Sequence, residues 1–192
     1  VILFLGRLTP IKNLELLIEA FAGLDVPDAH LVLAGPESER GYAAKLKTLC
    51  HQLGVSGRAH FIGAVYGENK QAALTEACFV ALASHTESFG NVIAEAIAVG
   101  TPVVVTEECG IAPYVRNRVG LVSEGAVQEF RCALFRMLTD ETLYRTFKAN
   151  CPAVGREFSW DEPVAMMEQL YSQAVKNKRA GPTASGRRKE SD

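Results

Sequence analysis

The amino-acid sequence predicts an α/β domain built on a doubly wound parallel sheet of the Rossmann-like kind. Three observations predict this fold. Short apolar runs alternate with segments of helical period, the connections between them are short, and glycine ends several of the apolar runs. Such alternation is typical of a parallel sheet with helices on both faces. At 192 residues, 48% of them hydrophobic, the chain is long enough to bury a full core.

The strands are predicted from short, β-rich apolar runs that stop at glycine or proline. Val1 to Leu5 is such a run, and Gly6 ends it. A run that is apolar at consecutive positions fits a parallel strand buried on both faces. In chain order, the six predicted strands cover residues 1–5, 30–34, 58–62, 78–83, 102–106 and 119–122.

The helices are predicted from apolar residues that recur with the period of a helix. In the first helix they fall at positions 14, 17, 18, 21 and 24. The predicted helices cover residues 14–24, 38–53, 68–77, 91–99, 126–138, 141–149 and 161–175. We therefore expect one domain over residues 1–175. Residues 176–192 are basic and offer nothing apolar to bury, so we expect a disordered tail.

Composition and motifs argue against several classes of protein. The net charge of −2 gives no sign of nucleic-acid binding, and no apolar run reaches the roughly 20 residues of a membrane span. The five cysteines form no CxxC pair, which indicates reduced thiols in the cytoplasm and no zinc site. The absence of a Walker A motif, and of GxGxxG after the first strand, argues against P-loop NTPases and the usual dinucleotide enzymes.

The most informative stretch, Glu87 to Ala96, joins the fourth predicted strand to a helix that starts at Gly90-Asn91. In open parallel sheets, ligands bind outside the carboxyl ends of the strands. The free N–H groups and the dipole of a helix start favour an anion there. Because Glu87 lies before this helix and Glu95 inside it, they should bracket a ligand with a negative middle and hydroxyl-bearing ends. The alternative is that both are ordinary surface carboxylates.

Two basic residues, Arg7 and Lys12, follow the first strand and should lie at the same end of the sheet. An arginine fork and a lysine point charge a few residues apart suit a phosphate or diphosphate. The turn Gly63-Ala64-Val65 after the third strand is small and apolar, so a planar base could approach its backbone. The alternatives are solvated loop residues for the basic pair and an ordinary strand-to-helix turn for the third segment.

Several segments, read together, carry a family resemblance. They are Gly6-Arg7-Leu8, Lys12-Asn13, Val32-Leu33-Ala34-Gly35, Phe61-Ile62-Gly63, Glu87-Ser88-Phe89-Gly90, Glu95-Ala96 and Gly100-Thr101-Pro102-Val103-Val104. In this order they resemble the donor-binding half of the retaining GT-B glycosyltransferases of group 1 (family 4). The likeness runs from Val1 to about Val175, and its most specific part is the E-x7-E spacing of Glu87 and Glu95. The chain opens inside a strand-like run, so we expect a piece of a longer protein whose N-terminal acceptor-binding domain is absent.

The resemblance implies a hexosyltransferase that moves a sugar from a nucleotide-diphosphate sugar to an acceptor with retention, without a cofactor or bound metal. It implies that Arg7 and Lys12 neutralise the departing diphosphate and that Glu95 accepts hydrogen bonds from the ribose. Glu87 is implied to hold the donor sugar. The other implied donor-binding positions are Gly6, Gly63, Ala64, Val65, Phe89, Gly90, Asn91 and Val92. By itself, this half is expected to bind the donor weakly and to turn over little.

One loop departs from the family pattern, and alternatives remain open. After the fifth strand, family members usually carry Gly-Gly followed by Pro-Glu, whereas the segment from Glu108 to Val115 keeps one glycine, Gly110. The alternative functions are a nucleotide-sugar epimerase of the same fold and a non-catalytic nucleotide-binding domain. The expected partners are the nucleotide sugar and the missing domain, without nucleic acid. In the cytoplasm, the basic tail could also touch anionic lipid at the inner face of the membrane.

Overall fold

The predicted strands form one parallel sheet in the part of the chain that the structure describes. That structure, a computed structural model, describes residues 1–159 and 161–180. The strands are β1 (Ile2–Leu5), β2 (Leu31–Ala34), β3 (Ala59–Gly63), β4 (Phe79–Leu82), β5 (Val103–Thr106) and β6 (Gly120–Ser123). Their order is β3-β2-β1-β4-β5-β6, with every neighbouring pair parallel. The predicted fold class, a doubly wound Rossmann-like sheet, is confirmed.

Helices connect the strands and pack in two groups. The described α-helices are α1 (Leu14–Ala22), α2 (Tyr42–Gln52), α3 (Gly67–Glu76), α4 (Asn91–Ala98), α5 (Ala112–Val115), α6 (Val127–Thr139), α7 (Glu141–Arg156) and α8 (Asp161–Ala180). α1 contacts α2 and α6, whereas α4 contacts α3 and α7. Because crossovers between parallel strands are right-handed, these two groups cover opposite faces of the sheet. No helix among the described residues is long and apolar enough to cross a membrane.

The core lies between the sheet and its helices. All residues of β1, β4 and β5 are buried. The largest fully buried side chains include the rings of Phe4, Phe21, Phe79 and Phe130. A buried aromatic side chain removes roughly 150–250 Å² from water, so these rings dominate the packing. The continuous apolar runs of the sequence therefore have the predicted cause, strands that are covered on both faces.

Helix α2 begins later than predicted, at Tyr42 instead of residue 38. The preceding loop bonds to the loop after β1: the N–H of Leu8 donates to the Pro36 carbonyl at 2.8 Å, and that of Ser38 donates to the Leu8 carbonyl at 3.2 Å. Gly41 then adopts a left-handed conformation, with φ of 87°, as the N-cap of the helix. Hydrogen bonds to a distant loop thus replace the helical ones that the local sequence favours.

Helix α7 is longer than predicted, and α5 and a 3-10 helix over Pro10–Lys12 have no counterpart in the prediction. α7 continues past residue 149 although Pro152 lies inside it. Proline removes one helical hydrogen bond, but Val154 is buried and Gly155 packs against Ala98. A β-carbon at Gly155 would lie 3.1 Å from the Cα of Ala98. This tertiary packing outweighs the local penalty of proline.

The chain divides into two compact units, Val1–Glu157 and Phe158–Asp192, whereas the sequence predicted one domain over residues 1–175. In the second unit, α8 continues to Ala180, so the prediction of a disordered tail is wrong for residues 176–180. Lysine, arginine and alanine favour helix, and adding residues to an existing helix costs little. The rest of the predicted tail, residues 181–192, lies outside the described residues.

Glu15 offers a pH-dependent test of the contact between α1 and α2. Its carboxylate accepts hydrogen bonds from the Tyr42 hydroxyl at 2.5 Å and from the Lys45 ammonium at 2.8 Å. Burial raises the pKa of Glu15, but the hydrogen bonds outweigh burial, and the net pKa lies below its ordinary value of 4.5. A carboxylate whose pKa is lowered by folding stabilises the folded state at pH values above its ordinary pKa. Its contribution is lost as pH falls through the folded-state pKa.

We therefore expect Glu15→Gln to lower the free energy of unfolding at neutral pH by about 0.5–1 kcal/mol. Urea titrations at about pH 3 should show a smaller difference from the unchanged protein. The control is Glu19→Gln, which changes an exposed carboxylate of the same helix and should show neither effect. An equal loss of stability at both pH values would contradict the prediction.

Candidate functional site

The loops that follow β1 and β4 meet at one end of the sheet. β1 and β4 are parallel neighbours, and the strand order reverses between them. The N–H of His85 donates to the carbonyl of Ile11 at 2.9 Å, which joins the two loops directly. A crevice at such a reversal point is where open parallel sheets bind ligands.

The central contact at this end is an ion pair between Lys12 and Glu87. The Lys12 ammonium donates to Oε2 of Glu87, and both side chains are mostly buried, at 17% and 20% exposure. Lys12 ends the 3-10 helix, and Asn13 follows with a left-handed φ of 50°. Asparagine adopts this conformation more readily than most side chains. The tight turn sets Lys12 beside the loop after β4.

Arg7 lies on the same loop as Lys12 but is exposed. Within residues 1–159 and 161–180, its guanidinium forms no hydrogen bond or ion pair. The structure therefore brings Lys12 and Glu87 together and leaves the donors of Arg7 available at the same rim. Among the described residues, no group of three or more His, Cys, Asp or Glu side chains is placed to hold a metal ion.

The start of α4 presents backbone N–H groups beside this ion pair. Gly90 is the N-cap, with a left-handed φ of 99°, and no side chain caps the helix. The N–H groups of Asn91 and Val92 lie in the first turn, where no helical carbonyl is available to them. Together with the helix dipole, these groups favour an anion in the crevice.

A short backbone ladder holds the loop after β4 in place. The N–H of Glu87 donates to the Glu108 carbonyl at 3.1 Å, and the N–H of Gly110 donates back to the Glu87 carbonyl at 2.9 Å. The N–H of Ile111 donates to the Phe89 carbonyl, also at 2.9 Å. These bonds continue the parallel pairing beyond the ends of β4 and β5.

The loop that departs from the family pattern therefore supports the site through its backbone. A β-carbon at Gly110 would lie 2.0 Å from the Ser88 carbonyl oxygen, so glycine is required there. Cys109 is buried beside Thr106, with 3.6 Å between its Sγ and the threonine Oγ1. Burial raises the pKa of the Cys109 thiol, as expected for a thiol that packs in the interior. Sequence reasoning considered only ligand contacts from this loop and missed its supporting role.

Glu95 is paired with a lysine that sequence reasoning missed. Lys70 Nζ lies 2.6 Å from Oε2 of Glu95, and both side chains are partly exposed. Lys70 lies near the start of α3, the helix that follows the turn of Gly63 to Val65. A signal for it was present, because the first residues of a helix that follows a strand lie at the carboxyl end of the sheet.

Glycines bring the ends of β1, β2 and β3 close together. Gly63 has a left-handed φ of 72°, and its carbonyl accepts from the N–H of Gly35 at 2.7 Å. Gly35 approaches Gly6 so closely that a β-carbon on it would lie 1.7 Å from the Gly6 carbonyl oxygen. Ala64 is exposed and Val65 half-buried, so the turn after β3 is open at the rim.

The fold and the site together define a class of protein. A doubly wound parallel sheet with a basic loop and an uncapped helix start at its switch point has the architecture of the Rossmann-like domains. The family described as "Glycosyl transferases group 1" matches residues 1–153. The chain therefore belongs to the group 1 glycosyltransferases, as the resemblance implied.

Relatives and solved structures agree with this family. The chain is 34% identical over 181 residues to a D-inositol 3-phosphate glycosyltransferase from Xylanimonas cellulosilytica, covering 93% of this chain and 43% of that protein. It superposes on HepE from Anabaena, solved with UDP and glucose, with a TM-score of 0.79 and 25% identity, over 92% of this chain and 48% of that one. It also superposes on the C-terminal domain of LpcC, a group 1 family protein from Francisella tularensis, with a TM-score of 0.73 and 25% identity, over 82% and 84% of the two chains. The chain thus spans less than half the length of the first two proteins.

Proposed function

We propose that this chain is the donor-binding half of a retaining hexosyltransferase, which moves a sugar from a nucleotide-diphosphate sugar to an acceptor. The observation that carries the proposal is the contact of Lys12 with Glu87 beside the start of α4. A cation, a carboxylate and free helix N–H groups within one crevice suit a ligand that joins a diphosphate to a sugar. Membership of the family supports the sugar-transfer part of the proposal.

In this proposal, the donor runs along the rim from the end of β3 to the loop after β4. The base meets the turn of Gly63 to Val65, and the ribose hydroxyls donate to Glu95. The diphosphate is bound by Arg7 and Lys12, while Glu87 accepts from hydroxyls of the hexose. Further contacts come from the backbone of Gly6, Phe89, Gly90, Asn91 and Val92. Because an ammonium has three donors, Lys12 can contact the diphosphate and Glu87 together.

The proposed chemistry is a substitution at the anomeric carbon of the hexose. The bond from this carbon to the diphosphate oxygen breaks, and the bond to the acceptor oxygen forms on the same face of the sugar. The proton of the acceptor hydroxyl passes to the departing phosphate. The barrier is charge separation between an oxocarbenium-like sugar and the diphosphate, and fixed cations stabilise this transition state more than the ground state. No cofactor or bound metal is part of the proposal.

The similar proteins suggest the first substrates to try. HepE was solved with UDP and glucose, which points to a UDP-hexose as donor. The name of the Xylanimonas relative points to D-inositol 3-phosphate as acceptor. A cytoplasmic location, with contact to the inner face of the membrane, belongs to the same proposal.

Full-length enzyme, with the acceptor-binding half included, tests the proposal. It is incubated with UDP-, GDP- and ADP-hexoses in the presence of D-inositol 3-phosphate and other acceptors. The proposal is supported by release of nucleoside diphosphate together with a glycosylated acceptor in which the sugar keeps the anomeric configuration that it had in the donor. An altered free sugar would indicate an epimerase, and binding without turnover would indicate a non-catalytic nucleotide-binding domain. Either result would overturn it.

Two substitutions test the site in this chain alone. We expect Arg7→Ala and Glu95→Gln each to weaken UDP binding by about tenfold, because each removes a charge-assisted hydrogen bond. Isothermal titration calorimetry measures the change. The control is Arg145→Ala, which removes an exposed arginine that pairs with Glu141. Unchanged UDP affinity in both site variants would contradict the proposed site.

A further inference from the structure

An ion pair joins α3 to α4 beside the proposed ribose position. Lys70 Nζ lies 2.6 Å from Oε2 of Glu95, with side-chain exposures of 36% and 43%. Although the Glu95 side chain is nearly half exposed, its Oε2 atom is shielded from solvent and accepts no well-aligned hydrogen bond from the described residues. The Lys70 ammonium is the described cation that balances the charge on this oxygen.

The exposures of this pair resemble those of Arg118 and Glu157, at 43% each, and what distinguishes it is that the carboxylate oxygen facing the lysine is shielded from solvent. Lys45, which is 67% exposed, pairs with Glu15, which is 26% exposed, at 2.8 Å, and Arg145 and Glu141 are both more than 70% exposed. A pair with both side chains exposed, such as Arg145 with Glu141, adds little to stability and holds neither partner firmly. At Glu95 the ammonium covers one carboxylate oxygen, whereas Oε1 forms no hydrogen bond with the described residues. One oxygen is held and the other is open.

The position of Lys70 also connects two parts of the proposed donor site. It lies in α3, which begins shortly after the turn of Gly63 to Val65, where the base is proposed to bind. Glu95 lies in α4, whose first turn offers N–H groups to the diphosphate. The two helices are in contact. Lys70, on the helix that follows the proposed base-binding turn, thus pairs with Glu95, on the helix whose first turn is proposed to bind the diphosphate.

We propose that Lys70 is a positioning residue for the nucleotide ribose. It holds Oε2 of Glu95 and thereby fixes the carboxylate so that Oε1 receives the ribose hydroxyls. A carboxylate that is fixed before binding loses less freedom when the ligand arrives, so it binds more tightly than a mobile one. The inference rests on the proposed function, which places the ribose at Glu95. It follows that the preference of the chain for nucleotides with ribose hydroxyls depends on Lys70.

Calorimetric titration of the 192-residue chain with UDP and with 2′,3′-dideoxy-UDP, which lacks both hydroxyls, tests this inference. We expect Lys70→Met to weaken the binding of UDP by about fivefold or more, and that of 2′,3′-dideoxy-UDP by less than about twofold. Lys70→Arg keeps the cation and should retain most of the affinity for UDP. Lys45→Met is the control, because it breaks another lysine–glutamate pair between two helices, α1 and α2, and should change neither affinity.

The possible outcomes separate the inference from the proposed function. Equal weakening of both nucleotides by Lys70→Met would overturn the inference, because the lysine would then act on the diphosphate or on the fold. Full UDP affinity in Lys70→Met, with weakened binding in Glu95→Gln, would also overturn it but leave the proposed function standing. Failure of the unchanged chain to bind UDP, GDP or ADP would overturn the proposed function itself. Thermal unfolding, in which Lys70→Met should match Lys45→Met, excludes a general loss of structure.

Discussion

Replacing Lys12 with methionine is expected to lower kcat/KM of the full-length enzyme by about 100-fold or more, the largest effect that we predict. Two losses combine in this variant. In the proposed reaction the departing diphosphate loses a cation, and Glu87, whose side chain is only 20% exposed, loses its ion-pair partner. Methionine is similar in length to lysine but carries no charge, so it replaces neither interaction.

The same change should weaken both the fold and donor binding. A partly buried carboxylate without a partner costs about 1–3 kcal/mol, so urea unfolding should show a loss of stability of that order. UDP binding to the chain should weaken by at least about tenfold, because a charge-assisted contact to the diphosphate is lost. Calorimetry on the chain and steady-state kinetics on the full-length enzyme measure binding and turnover separately.

The double variant Lys12→Met/Glu87→Gln separates stability from function. It removes both charges of the pair, so much of the lost stability should return. Donor binding should stay weak, because the cation is still missing. Recovery of both stability and UDP affinity in the double variant would contradict the proposed role of Lys12 and leave only a structural ion pair.

Replacing Gly110 with alanine should displace the loop that carries Glu87, although alanine adds only one methyl group. The new β-carbon would lie 2.0 Å from the Ser88 carbonyl oxygen, and this oxygen belongs to backbone that cannot rotate away. The ladder between the two loops must therefore open or shift. We expect the free energy of unfolding to fall by about 1–3 kcal/mol. UDP affinity should fall by at least about tenfold, because the site groups move with the loop.

Gly57→Ala is the matched control, because a β-carbon at Gly57 would meet nothing within 4 Å. Urea unfolding and calorimetric titration with UDP compare the two variants. Native stability together with native UDP affinity in Gly110→Ala would contradict the supporting role of this loop. A loss of stability alone would show that the ladder braces the fold without shaping the site.

The strands, and the end of the sheet at which Lys12 and Glu87 lie, could be predicted because local sequence decides them. Runs such as Val1 to Leu5 are apolar at every position, and only a strand covered on both faces needs that pattern. Once strands alternate with helices, the carboxyl ends of all the parallel strands lie at one rim, which places Lys12 and Glu87 on the same side. Their direct contact depends further on β1 lying beside β4, which no local pattern states.

The contacts between distant loops could not be predicted, because no local sequence pattern states which segments become neighbours in the fold. α2 starts late because Leu8, far away in sequence, takes up the hydrogen bonds of the loop before it. The charge pattern of α3 does not tell which carboxylate Lys70 meets, because Glu95 lies on another helix. The predicted last helix ended at residue 175 because the composition becomes basic there. The residues that follow are nevertheless good helix formers, and α8 continues to Ala180.

The loops at this end of the sheet are joined to one another by backbone hydrogen bonds, one pair through Leu8 and Ser38 and another through Glu87 and Gly110. A loop without such hydrogen bonds would have to become ordered when a ligand binds, at a cost of roughly 1–2 kcal/mol of conformational entropy for each residue that is fixed. In this chain the loops lose that conformational entropy when the protein folds, before any ligand binds. If the proposed function holds, the nucleotide meets loops that are already ordered, and its affinity depends on how well its shape and charge fit them.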